Sequence, residues 1–104
     1  MKAPDIATIR VMRKLHRHWN AARVDDAETA HIMDTTYRNH GLLIDPHTAV
    51  GIGAAVTCRR DPSIPMVCLA TAHPAKFPDA VEEATGFRPD LPPALDDLYE
   101  RSER

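Results

Sequence analysis

One run of residues constrains this chain more than any other. Met66-Val67-Cys68-Leu69-Ala70 is apolar at every position and of strand length. Apolar on both faces, it reads as a buried strand of a covered sheet. It is the single strand candidate in the sequence, and one strand cannot make a sheet. The chain is therefore expected to complete the sheet of something larger, as one segment over residues 1–104 with no internal boundary.

The remainder reads as helix and loop. From Pro4 to about Arg23, Ile6, Ile9, Met12, Leu15 and Trp19 recur at three- and four-residue intervals between Arg10, Arg13, Lys14 and Arg17, which predicts an amphipathic helix. Pro4 suits its first turn. Asp25, with Glu28 three residues later, predicts the start of a second helix that carries Ala30, Met33 and Tyr37 and stops at Gly41. Leu42-Leu43-Ile44 then leads to Asp45-Pro46, where Asp45 reads as a helix cap. The following stretch of small and β-branched residues contains Gly51 and Gly53, each costing a helix about 1 kcal/mol, so a close approach is expected there. Pro78 opens a third amphipathic helix ending at Gly86, and Leu95, Leu98 and Tyr99 predict a short terminal helix packed by one face. The pattern of helix, loop, strand, polar loop and helix is an α/β grammar.

Composition narrows the function. Aromatic residues are only 5%, so the core must be built from Ala, Leu, Ile, Val and Met, which favours closely packed helices. A net charge of −2 leaves no basic excess for neutralising phosphates, so no nucleic-acid partner is expected. Cys58 and Cys68 are too few for a disulfide framework and lack zinc-site spacing; both read as buried free thiols. His16 and His18 read as solvated surface, too sparse for a metal. With no apolar run long enough to span a bilayer and no signal-peptide pattern, no membrane partner and a cytoplasmic setting are expected.

Two stretches could carry chemistry: Asp45-Pro46-His47-Thr48-Ala49-Val50-Gly51 and Thr71-Ala72-His73-Pro74-Ala75-Lys76-Phe77-Pro78. Ligands of open α/β sheets bind beyond the carboxyl ends of strands, and Thr71 holds that position after the predicted strand. His47 and His73 read first as structural histidines bonded to backbone in tight loops, with direct acid-base work as the sharper reading. Lys76 positions its loop, meets an anionic group, or is solvated. The smooth face of Gly51, Gly53, Ala54 and Ala55 reads as core packing.

These two motifs, in this order and separation, resemble the C-terminal region of threonine synthase, a pyridoxal-phosphate enzyme of the tryptophan-synthase-β-like family. The likeness extends from Ala22-Arg23-Val24-Asp25-Asp26-Ala27-Glu28-Thr29 through Gly86-Phe87-Arg88-Pro89, covering roughly residues 22 to 95. It implies an α/β fragment, mostly helical, with one or more short strands and about four or five helices, belonging to the C-terminal part of that fold. It also implies a carbon–oxygen lyase that converts O-phospho-L-homoserine and water into L-threonine and phosphate in threonine biosynthesis, with pyridoxal phosphate as electron sink. By the resemblance, Thr71 meets the cofactor's pyridine nitrogen, and His73, Lys76 and His47 are candidate residues of the active-site loops. The family's Schiff-base lysine and glycine-rich phosphate loop are not among these residues, so no catalytic residue is assigned and the isolated chain is expected to be inactive. The partner is then the remainder of threonine synthase. The alternative is a non-catalytic helical module, derived from the enzyme's C-terminus, that binds a partner or itself.

Overall fold

The computed structural model describes residues 5–15 and 19–103, without the side chains of Ile9 and of residues 12–15. Within them lie four α-helices: α1 (Ile6–Leu15), α2 (Asp26–His40), α3 (Pro46–Cys58) and α4 (Pro78–Thr85). Three 3-10 turns, Pro74–Lys76, Pro93–Leu95 and Leu98–Glu100, complete the regular structure.

Local chemistry sets the helix ends. Asp25 accepts a hydrogen bond from the Glu28 amide at 2.9 Å, satisfying one of the donors that a helix start leaves unpaired. At the far end of α2, Gly41 takes φ 65°, and its N–H reaches the Tyr37 carbonyl at 2.8 Å. Gly86 closes α4 the same way, at φ 77°, with its N–H on the Glu82 carbonyl. Both positions need the left-handed backbone that glycine adopts without a Cβ penalty.

α2 is the central element, packed on both α3 and α4. Met33 of α2, Ile44 of the α2–α3 connection, Ala49 of α3 and Val81 of α4 form the buried core, with Ile32, Leu43, Ile52 and Ala84 packed around it. The close approach expected from the small residues of α3 is made at Gly53. A Cβ there would lie 2.8 Å from Ile32 Cδ1 and 2.9 Å from Val24 Cγ2, whereas at Gly51 it would meet nothing. Thr29 and Thr85, both buried, donate their hydroxyls to the carbonyls of Asp25 and Val81 four residues back. Tyr37 and Phe87 rings, 4.7 Å apart, tie the end of α2 to the segment leaving α4.

This core is small for the surface it carries. The accessible area is 8886 Å², against about 5,800 Å² for a folded monomer of this mass. The radius of gyration is 17.6 Å, against about 13 Å for a compact domain of this length.

Several sequence expectations change. The first helix ends at Leu15 rather than near Arg23: residues 19–25 are non-helical, and Trp19 is exposed. An apolar stripe stabilises a helix only when something covers it, and Ile6 and Val11 of α1 are also exposed. Asp5 caps α1 by accepting from the Thr8 amide at 2.7 Å; Pro4, expected in the first turn, and His16 and His18 lie outside the described residues. No strand forms among the described residues. Met66–Ala70 is exposed throughout, Val67 at 81% and Leu69 at 76%, with no second strand among the described residues to pair with it. The terminal helix is replaced by the last two 3-10 turns: Leu95, Leu98 and Tyr99 all stay exposed, so no apolar face is buried to hold a helix together. Cys68, at the centre of the unpaired run, is exposed and Cys58 only part-buried, so neither is a buried thiol.

Candidate functional site

Asp45 is a fully buried carboxylate at the start of α3. One carboxylate oxygen accepts from the Thr48 amide at 3.1 Å and from the Thr48 hydroxyl. The other accepts from the His47 amide at 3.0 Å and lies 2.9 Å from His47 Nδ1. Burial pushes this carboxyl up, but the hydrogen bonds from the Thr48 hydroxyl, the His47 ring and the two backbone amides outweigh it and hold the carboxyl below its ordinary value. Asp45 is therefore an ionised acceptor, and His47 Nδ1 must carry the proton it shares with it. In the neutral ring, the other nitrogen, Nε2, then keeps its lone pair. The side chain is 63% exposed, and its ring sits 4.8 Å from that of Phe77.

That ring contact joins the two motifs. Phe77 follows directly on the Pro74–Lys76 turn, and its amide donates to the Pro74 carbonyl at 3.0 Å. His73 caps this turn: its Nδ1 accepts from the Ala75 amide at 3.1 Å. The proton of a neutral His73 ring then resides on Nε2, the opposite tautomer to His47. His73 is thus bonded to backbone within its own turn through Nδ1. Lys76 is exposed on a groove of about 430 Å³ lined also by His73, Ala75, Leu91, Leu95, Leu98 and Tyr99. Thr71 is exposed two residues before His73, at the end of the unpaired run, and no side-chain hydrogen bond engages it among the described residues.

Sequence reasoning recognised Asp45 as a cap and His47 as a candidate but missed that they pair. Their spacing permits the pair but does not fix it. A cap carboxylate folds back over the first helical turn, where the side chain two residues on also lies. Among the described residues, no three His, Cys, Asp or Glu side chains group to hold a metal, and no helix is long and apolar enough to cross a membrane.

Residues 48–104 match the family model described as threonine synthase, C-terminal. The chain belongs to this family. Threonine synthase from Pseudomonas aeruginosa is 50% identical over 96 residues, an alignment covering 85% of this chain and 20% of that protein. The Schizosaccharomyces pombe threonine synthase is 39% identical over 77 residues, covering 71% of this chain and 15% of that protein. The crystal structure of threonine synthase from Brucella melitensis, described as PLP-bound, superposes with a TM-score of 0.82 at 42% identity, covering 88% of this chain and 20% of that one. This chain thus spans a fifth or less of these threonine synthases. The mostly helical architecture expected for a C-terminal threonine synthase segment is the one observed; the short strands are not formed among the described residues.

Proposed function

We propose that the chain is the C-terminal portion of a threonine synthase that converts O-phospho-L-homoserine and water into L-threonine and phosphate. The observation that carries this reading is the likeness, over most of this chain, to a threonine synthase solved with PLP. The excess exposed surface supports it, because the area left open is that of a segment docked on a larger body.

Pyridoxal phosphate fits this segment on one side only. The exposed Thr71 hydroxyl, not engaged by any side-chain hydrogen bond among the described residues, suits a pyridine nitrogen. A neutral hydroxyl leaves that nitrogen without an enforced proton, which an aspartate would impose. For the phosphate, the starts of α2 and α3 are not free, since their first-turn amides are already held by Asp25 and Asp45. When bound, the cofactor supplies an electron sink for carbanions at the substrate's α and β carbons. This segment contributes the ring-nitrogen contact and the loops of His47, His73 and Lys76, and a Schiff-base lysine comes from the remainder of the enzyme.

A graft tests the reading. The matched region of the Pseudomonas aeruginosa threonine synthase is replaced by this chain's residues, and phosphate release from O-phosphohomoserine is followed. The graft is expected to turn over and its Thr71→Val variant to lose activity, whereas the isolated chain with added pyridoxal phosphate releases none. A folded, cofactor-loaded graft without turnover overturns the proposal.

A further inference from the structure

We propose that Asp45 and His47 form a proton-accepting dyad of the same active site, in which Asp45 positions His47 and His47 Nε2 takes a proton from the water the reaction consumes. The inference rests on the threonine synthase reading and goes beyond it by giving the pair an acid-base role.

The geometry carries the argument in three steps. A carboxylate that accepts from the Thr48 amide, the Thr48 hydroxyl, the His47 amide and the His47 ring has no proton of its own to give. The His47 ring must then donate from Nδ1, which fixes the tautomer of the neutral ring and leaves its Nε2 as an acceptor. Asp45 is wholly buried while the His47 side chain is 63% exposed, so the carboxylate cannot itself meet a substrate, and the imidazole can. The charge that appears on the ring when Nε2 is protonated lies 2.9 Å from a carboxylate already held in place, so no reorganisation accompanies it.

Phe77 places this ring against the second motif: the His47 and Phe77 rings touch at 4.8 Å, and Phe77 closes the turn that carries His73 and Lys76. His73 cannot play the same part from its Nδ1, which is already taken by the Ala75 amide. In the step assigned to His47, an O–H bond of the water breaks and an N–H bond forms at Nε2. The oxygen's electron pair becomes available to the substrate carbon, and the exposed imidazolium returns the proton to bulk water.

Two measurements test the dyad. In the 104-residue chain, one-bond 1H–15N couplings identify which nitrogen of His47 bears the proton. Nδ1 is expected in the native chain, and Nε2 in the Asp45→Asn variant, whose amide donates where the carboxylate accepted. A native His47 protonated on Nε2 overturns the positioning role. In the active graft, His47→Gln is expected to lower kcat roughly 100-fold, the lower end of a positioned acid-base group's contribution, with KM and cofactor absorbance unchanged. An active graft whose kcat is untouched by His47→Gln overturns the acid-base role while leaving the threonine synthase reading intact. A cofactor-loaded but inactive graft overturns both, and the tautomer measured in the chain still separates the geometry from the function.

Discussion

At Asp45, burial of a charge is offset by donors from two neighbouring residues, all within the first turn of α3. Asp45→Ala removes the acceptor and leaves the Thr48 hydroxyl and two amides without a partner, so chemical denaturation should register a loss of about 2–3 kcal/mol. The carboxyl is depressed in the folded state, burial notwithstanding, through the Thr48 and His47 hydrogen bonds. A depressed carboxyl stabilises at pH values above its unfolded pKa, and that contribution is lost as pH falls through the lower, folded value. The native chain should therefore lose stability more steeply than Asp45→Asn as pH drops below the ordinary carboxylate range, read from denaturant midpoints across an acid titration. The cap itself was legible, because Asp before Pro at a helix start has few other uses. Its pairing with His47 was not, because sequence carries no side-chain direction.

Helix boundaries were legible wherever one residue's chemistry decides them. Asp25, Gly41, Asp45 and Gly86 act through contacts no more than four residues away, and each stands where its type predicted. Gly51 and Gly53 show where element-level reading stops. Both lie inside the same unbroken helix, yet only Gly53 faces neighbours. Gly51→Ala should stabilise the chain by up to about 1 kcal/mol through helix propensity alone. Gly53→Ala drives a methyl into Val24 and Ile32, and overpacking of about 1–3 kcal/mol outweighs that gain. Opposite shifts in thermal midpoint for the two variants are the expected result. The first helix fell short for the converse reason: its apolar spacing was clear, but spacing does not supply the surface that would cover it.

For the molecule as a whole, the decisive quantity is the surface left open. Val67 and Leu69 are more exposed than residues of their type in a closed core, and they sit in the run that has no pairing strand among the described residues. Val67→Asp should leave the stability of the isolated chain within about 0.5 kcal/mol, as for other surface changes. In the grafted enzyme, about five times this chain's length, the same substitution places an unpaired charge in the covered sheet, and the thermal midpoint should fall by several degrees, as a loss of about 3–5 kcal/mol implies. Equal responses in the two settings would mean that the run is not covered in the assembled enzyme.

The order of residues alone fixed the helix caps, the small-residue face of α3, the mostly helical class and the strand-like character of Met66–Ala70, because each depends on chemistry within a few positions. Tertiary structure alone decided which glycine is crowded, that His47 pairs with Asp45 and leans on Phe77, and that the run at 66–70 stays open. Those outcomes depend on neighbours distant in sequence or on side-chain direction. A strand's hydrogen bonds, above all, are made by the strand beside it.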